Sequence, residues 1–374
     1  MRHIHLITPG DHFSPRTGSA IPTVVHGLAS AASPTGPRPA VLLARGTYPD
    51  RYQSAEIIEY DQVHARRFDG HLDVIAGRLG VNRPSRRRYV APLRAQQRWD
   101  RATLLAHNAP QAIPLVDARH QAVLYAHNQL LRTYSRRESA RTLDAAAAII
   151  CVSDHLAQQT ADLLPRHLRP RVRVVHNGVD TTLFSEPRSP RGESLRVAFL
   201  GRVIPSKGVH VLLEAANCLA RPDIEITVIG RPGFARDAPL STYERRLRRL
   251  AEGSAAAVSF ASFLPRGDLP VALSQVDVLV VPSVWPEPFG LTALEGMAAG
   301  AAVIASDVGG LPEALGSAGI LVPPDDVSSL SAALGALADD PGLLADTRDA
   351  GGERARCMTW TRSRARLDEL LSKV

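Results

Sequence analysis

The chain reads as an α/β protein of two doubly wound domains. Three observations carry that reading. Its 374 residues exceed what one hydrophobic core organises, so two domains are expected. Short apolar runs alternate with helical patterns along the whole length, as in repeated βα wiring. Near residues 183–195 the stretch LFSEPRSPRGES is polar, with Pro and Gly, and divides two series of such runs.

The first series of expected strands is 3–8, 40–44, 103–106, 123–126, 148–152 and 172–175. The second is 197–200, 224–229, 258–260, 278–281, 303–305 and 320–322. Each is apolar on both faces, which is how a strand buried in a parallel sheet reads. Helical patterns fall between them, for example at 209–220, 243–252 and 291–299, and the AAAA run at 145–148 is expected to be helical. Ligands of open parallel sheets bind beyond the carboxyl ends of the strands. Residues just after strands therefore carry the functional weight.

Composition excludes several classes. Hydrophobic content of 45% and charged content of 22% are ordinary for a globular protein, so disorder and fibrous structure do not fit. No run of 18 apolar residues exists to cross a membrane. MRHIHLITPG lacks a secretory core, and three scattered cysteines (Cys151, Cys218, Cys357) give no disulfide or metal pattern, so a cytoplasmic location is expected.

The net charge of +7 is uneven. Residues 1–180 hold 24 arginines against 14 acids, and residues 181–374 hold 20 basic against 23 acidic residues. An anionic ligand or surface on the first half is implied. Nucleic acid is not favoured, because no helix-turn-helix, zinc or RNP-type motif accompanies the charge.

Lysine occurs twice, at Lys207 and Lys373; all other positive charge is arginine. Lys207 lies in GRVIPSKG (201–208), directly after an expected strand. The lysine precedes the second glycine, so this is not a P-loop, and no G-x-G occurs, which removes the dinucleotide fingerprint. A cation at a helix start opposes the helix dipole unless an anion is bound there. Arg202 and Lys207 read either as a phosphate clamp or as two charges on a solvated turn.

A second stretch, VWPEPFGLTALEGMAAGAAVIASDVGGLPE (284–313), follows the strand at 278–281. Pro286 and Pro288 keep the chain extended before Gly290, a helix runs to about 299, and Gly300 ends it. The first amides, near Phe289, Gly290 and Leu291, are available to an anion. Glu287 lies before the helix and Glu295 within it among small and apolar neighbours. A buried acid needs partners, and sugar or ribose hydroxyls would supply them.

Together GRVIPSKG, HNGVD (176–180) and EPFGLTALEGMAAG (287–300) resemble the retaining GT-B glycosyltransferases of family 4, with Glu287 and Glu295 in the family's glutamate spacing. The resemblance covers essentially the whole chain and is strongest over 145–325. It implies two Rossmann-like domains facing a cleft, at 1–182 and 196–355. Residues 183–195 would be the linker, and a helix at 356–374 would pack back on the first domain.

The resemblance also implies residue roles. Arg202 and Lys207 would hold the donor diphosphate, assisted by the amides of Phe289, Gly290 and Leu291 and by Gly18 of the first loop. Glu287 would contact the donor sugar and Glu295 the ribose. Gly230, Arg231, Phe263 and Leu264 would line the nucleobase. His127, after the strand at 123–126, would stand against the donor sugar and, with Glu287, Arg202 and Lys207, form the catalytic set; His107 ranks second and is assigned to the acceptor. Asn177 and Gly178 would shape a turn and Asp180 an interface. The family's first loop commonly has a Gly-Gly pair; here Ser19 follows Gly18, so the Ser19 hydroxyl is expected to serve the acceptor.

No Asp-x-Asp is present, so a metal-independent reaction is expected, with no cofactor beyond a UDP- or GDP-sugar donor. Retention follows from the resemblance alone. The segment 78–101 holds eight arginines and one acid. A small polar or anionic acceptor drawn in by Arg87, Arg88 or Arg94 is expected, such as a secondary metabolite, a thiol or a cell-envelope precursor. The alternatives are an anionic membrane surface with a lipid-linked acceptor, met by arginine with Tyr89 and Trp99, or a solvated basic loop. The low apolar content of 78–101 weighs against the membrane. A nucleotide-sugar epimerase or hydrolase using His127 and Glu287, and a non-catalytic binding protein, are the rival classes.

Overall fold

The computed structural model describes residues 1–190, 192–233 and 239–374. The chain divides into two compact units, Met1–Asn177 with Trp360–Val374, and Gly178–Thr359. The first unit holds strands β1 (Arg2–Leu6), β2 (Ala40–Ala44), β3 (Glu56–Tyr60), β4 (Ala102–His107), β5 (Gln121–Ala126), β6 (Ala146–Cys151) and β7 (Val172–Val174). They form one parallel sheet in the order β3-β2-β1-β4-β5-β6-β7. The second holds β8 (Leu195–Leu200), β9 (Ile224–Ile229), β10 (Ala257–Ala261), β11 (Val278–Val281), β12 (Ala302–Ser306) and β13 (Ile320–Val322), parallel in the order β10-β9-β8-β11-β12-β13. Both orders are doubly wound, as the alternation of the sequence predicts.

A strand inside the sheet reads as an unbroken apolar run because it feeds two cores, as β2 does. Ala40, Leu42 and Ala44 of β2 enter one cluster with Ile4, Leu6 and Leu104, while Val41 and Leu43 enter another with Ile7, Phe13 and Val25. Two features depart from expectation. The run at 145–148 is not helical: β6 starts at Ala146, because Ala146 and Ala148 pair with Ala122 and Val123 of β5 across a register shift. Strand β3, EIIEY, was not expected; it is an edge strand with exposed Glu56 and Glu59, so it lacks the continuous apolar signal.

The expected linker, 183–195, falls inside the second unit, apart from Arg191, which lies outside the described residues. Arg188 fastens it by donating to Val276 O at 2.7 Å, Ala299 O at 3.1 Å and the buried Asp277 at 3.2 Å. The last helix, Trp360–Leu371, belongs to the first unit: Arg364 donates to Leu28 O at 3.2 Å, and the Trp360 ring occupies the space a Cβ on Gly27 would need.

The strand orders fix where sites can form. Each sheet reverses its winding at one place, β1/β4 in the first and β8/β11 in the second, and loops diverge there at the carboxyl ends. In the second unit those loops are GRVIPSKG and SVWPEPFG.

Candidate functional site

In the second unit, β8 and β11 pair side by side, with Val278 opposite Val197 and Leu279 opposite Ala198. Their two loops are stitched together by Val284 N donating to Ser206 O at 3.1 Å. Lys207 ends a short 3-10 turn, Pro205–Lys207, and Gly208 opens helix α3 (Val209–Leu219; α1 is Ala20–Ser30 and α2 is Asp69–Arg78). Gly208 has φ +70°, and a Cβ there would stand 1.7 Å from Pro282 O, so the turn requires glycine. This close crossing aims Lys207 at the neighbouring loop, where its Nζ forms an ion pair with Glu287 Oε1. Ser283 Oγ donates to the same oxygen at 2.5 Å. Both charged side chains keep some solvent access, 26% for Lys207 and 13% for Glu287. Arg202 stands exposed in the same loop.

Glu287 is pinned through its backbone as well. It pairs with Gly309, and Gly310 N donates to Glu287 O at 2.7 Å. Three residues later Gly290, at φ +107°, opens helix α5 (Leu291–Ala298; α4 is Thr242–Glu252). Phe289 is buried and Leu291 half-buried, so the amides expected to meet an anion cluster at the head of α5. Glu295 lies one turn on, buried, and accepts from Arg266 Nη1 at 2.7 Å. Its partner is thus a protein cation as well as any ligand hydroxyl. Sequence reading missed Arg266; its only signal is an arginine just past β10.

In the same unit a cavity of about 130 Å³ is lined by Val203 of the Lys207 loop and by Gly230, Arg231, Arg248 and Phe260, among others. Arg231 is held 3.0 Å from Glu244 of α4. Phe263 and Leu264, expected with Arg231 at the base, follow β10 half-buried and are not among the residues lining that cavity.

In the first unit, register and alternation place His5, His107, Tyr125 and His127 on one face of β1, β4 and β5. His5 Nδ1 and His107 Nε2 are 2.9 Å apart, and His107 Nδ1 and His127 Nε2 are 2.7 Å apart. Tyr125 stacks on both His107 and His127, with ring centres 5.0 and 4.9 Å away. Asn108, at φ +51°, accepts from His127 N at 2.7 Å and fixes the turn. Burial lowers His127 to about 3, and burial with repulsion from Arg364 and His127 lowers His5 to about 3; His107 is also lowered well below its ordinary value by burial and its histidine neighbours. All three rings are neutral at physiological pH. The assignment of His107 to the acceptor is corrected: it is 0% exposed and touches other rings, so it supports His127 from behind.

The first loop after β1 exposes Gly18, and Ser19 precedes α1. The Ser19 hydroxyl donates to Asp11 Oδ2 at 3.2 Å, and burial raises the Asp11 carboxyl. Asp11 went unremarked in the sequence. Of the three arginines assigned to the acceptor, Arg87 is met by the buried Asp69 at 2.7 Å, Arg88 donates to Pro9 O at 2.9 Å, and Arg94 is exposed. Asn177 is buried, and Asp180 caps its own turn by accepting from Thr182 N at 3.0 Å and Leu183 N at 3.2 Å.

Comparison with known proteins matches both parts of the chain. A family described as Glycosyl transferases group 1 matches residues 181–357, and Glycosyltransferase Family 4 matches residues 3–183. The chain is 34% identical to the alpha-maltose-1-phosphate synthase of Mycolicibacterium smegmatis over 57% of its own length and 59% of that protein's. It is 34% identical to the D-inositol 3-phosphate glycosyltransferase of Streptomyces avermitilis over 66% of its own length and 57% of that protein's. The chain therefore spans less than two thirds of the length of these curated relatives. The crystal structure of Anabaena HepE with UDP and glucose superposes with a TM-score of 0.74 at 20% identity, covering 100% of both chains, and shows the shared GT-B fold.

Proposed function

We propose, because the chain belongs to the group 1 glycosyltransferases of family 4, that it moves a sugar from a nucleoside-diphosphate sugar to a small polar or anionic acceptor, without a metal and with retention of configuration. The observation that carries this reading is the Lys207–Glu287 pair beside the head of α5. When the donor's glycosidic bond breaks, negative charge grows on the departing diphosphate. Lys207, Arg202 and the α5 amides would meet it as fixed positive groups, the role a metal plays elsewhere. Glu287 holds Lys207 in place beforehand, so little reorganisation is needed at that moment. Its carboxylate would accept a hydroxyl of the donor sugar, and Glu295 with Arg266 would face the ribose.

Retention would follow if the acceptor attacks from the side the diphosphate leaves. The acceptor's O–H proton then passes to a leaving phosphate oxygen while the new C–O bond replaces the old one. No protein base is required, which fits a His127 that is neutral and acts by hydrogen bonding. The UDP in the HepE complex makes uridine nucleotides the first donors to test, with guanosine nucleotides beside them. The name of the inositol 3-phosphate enzyme supports a phosphorylated acceptor.

Incubating the protein with UDP- and GDP-sugars, phosphorylated polyols and a chelator tests the reading. Acceptor-dependent release of nucleoside diphosphate, with an α-linked product from an α-linked donor, supports it. Epimerised or free sugar formed without acceptor would support an epimerase or hydrolase instead.

A further inference from the structure

Helix α2 of the first unit is built inside out. Its inward side carries polar and small residues: Asp69 pairs with Arg87, Asp73 accepts from Ser85 N at 2.9 Å, and Ala76 and Gly77 are buried. Its outward side is apolar. Phe68, Leu72, Ile75 and Leu79 are 61%, 45%, 52% and 73% exposed. At about 100° per residue these four fall within an arc of roughly 60°. Val81 and Val90, 54% and 48% exposed, lie in the segments that follow. A soluble surface helix turns this stripe inward; here the polar contacts of Asp69 and Asp73 hold it outward.

Along residues 64–82 the exposed charge has one sign. Within 64–82 the exposed titratable side chains are Arg66, Arg67 and Arg78, with His64 and His71. The only two acids of that stretch, Asp69 and Asp73, are engaged inward. The Arg67 guanidinium lies 5.6 Å from the centre of the Phe68 ring. We infer that this face docks the protein onto an anionic lipid surface. The apolar stripe would enter the headgroup boundary while the arginines meet lipid phosphates. A second copy of the chain is the poorer occupant. Two-fold pairing of the stripe would set Arg66, Arg67 and Arg78 against their own copies with no exposed acid between them. No helix among the described residues is long and apolar enough to cross a membrane. The inference stands on α2 alone and holds for any acceptor. It also extends the surface contact from the start of 78–101 back over the stretch just before it.

Co-sedimentation with vesicles tests it. Wild-type protein is expected to bind vesicles of phosphatidylglycerol and phosphatidylcholine, to release at high salt, and to ignore phosphatidylcholine alone. Two variants, Leu72→Ser/Ile75→Ser/Leu79→Ser and Arg66→Gln/Arg67→Gln/Arg78→Gln, are each expected to bind at least tenfold more weakly with melting temperature unchanged. Because all six side chains point outward, at least the arginine variant remains folded. Absence of binding to anionic vesicles, or equal binding by folded variants, overturns the inference. So does a lipid-free dimer in sedimentation velocity that the serine variant dissociates, since a second copy would then cover the face.

Discussion

Lys207 and Glu287 stand 80 residues apart in sequence and form an ion pair across two loops that leave neighbouring strands. The pair exists because β8 and β11 flank the point where the sheet reverses its winding, and because Gly208 lets the first loop cross close to Pro282.

Replacing Lys207 by Ala is expected to lower turnover by about 10²–10³, the scale of losing one preorganised contact to developing charge. Glu287→Gln is expected to lower it too, and the double variant to lose less than the product of the two. Rates for all three variants, with circular dichroism to confirm folding, check this. Full additivity would mean that the two residues act independently.

Gly290→Val places a β-branched residue at φ +107° with its Cβ 2.6 Å from Leu311 Cδ2. The backbone strain alone costs about 1–3 kcal/mol. The expected result is a lower denaturation midpoint together with weaker nucleotide binding by calorimetry, because the head of α5 must move to relieve the contact.

Much of this is legible in the sequence. Both sheets announced themselves because strands buried on two faces read as apolar runs. Strand β3 hid because an edge strand keeps its glutamates. Ala146–Ala148 misled because alanine has high helix propensity, and packing against β5 overrode it. GRVIPSKG and Glu287 were found because glycine, proline and a lone lysine punctuate loops. Arg266 and the partnership of His5 with His107 were not, since each depends on strand order bringing distant residues together; nor was Asp11, whose contact with Ser19 depends on how the loop after β1 folds. The HIH of β1 alternates toward one face, which is a weak signal of that cluster. The outward face of α2 was hidden for a related reason: a helical apolar stripe ordinarily means core, and only the inward contacts of Asp69 and Asp73 reverse it.

Arg266→Ala would leave Glu295 as a buried carboxylate without its cation. Removing one partner of a buried pair costs roughly 3–5 kcal/mol. Urea unfolding should show a loss of that order, and Glu295→Gln in the Arg266→Ala background should recover part of it.

The histidine cluster predicts an acid-sensitive fold. His5 and His127 lie near 3 in the folded protein against about 6.5 unfolded. Between those values the unfolded chain binds protons that the folded chain refuses. Stability should therefore be full above about pH 6.5 and fall as pH drops from there toward 3. Denaturation midpoints across that range check the slope, and His5→Phe should flatten it.

The same cluster predicts a tautomer. His5 Nε2 is buried without a hydrogen-bond partner among the described residues, and an orphaned acceptor is more tolerable there than an orphaned N–H. The proton of His5 then sits on Nδ1 and that of His107 on Nδ1, which leaves His127 protonated on Nδ1 as a donor. Nitrogen NMR of the histidine rings should show Nδ1 protonated in all three. A protonated His127 Nε2 would reverse the chain.

The central claim is that the loop of Lys207 binds the diphosphate of a nucleotide donor, and calorimetry of UDP and GDP against wild-type and Lys207→Ala protein tests it most directly. The account predicts that wild-type protein binds at least one of the two and that the variant, still folded, binds it at least tenfold more weakly, a difference of about 1.4 kcal/mol. Equal affinity in the two proteins, or no binding of either nucleotide to wild type, would contradict it.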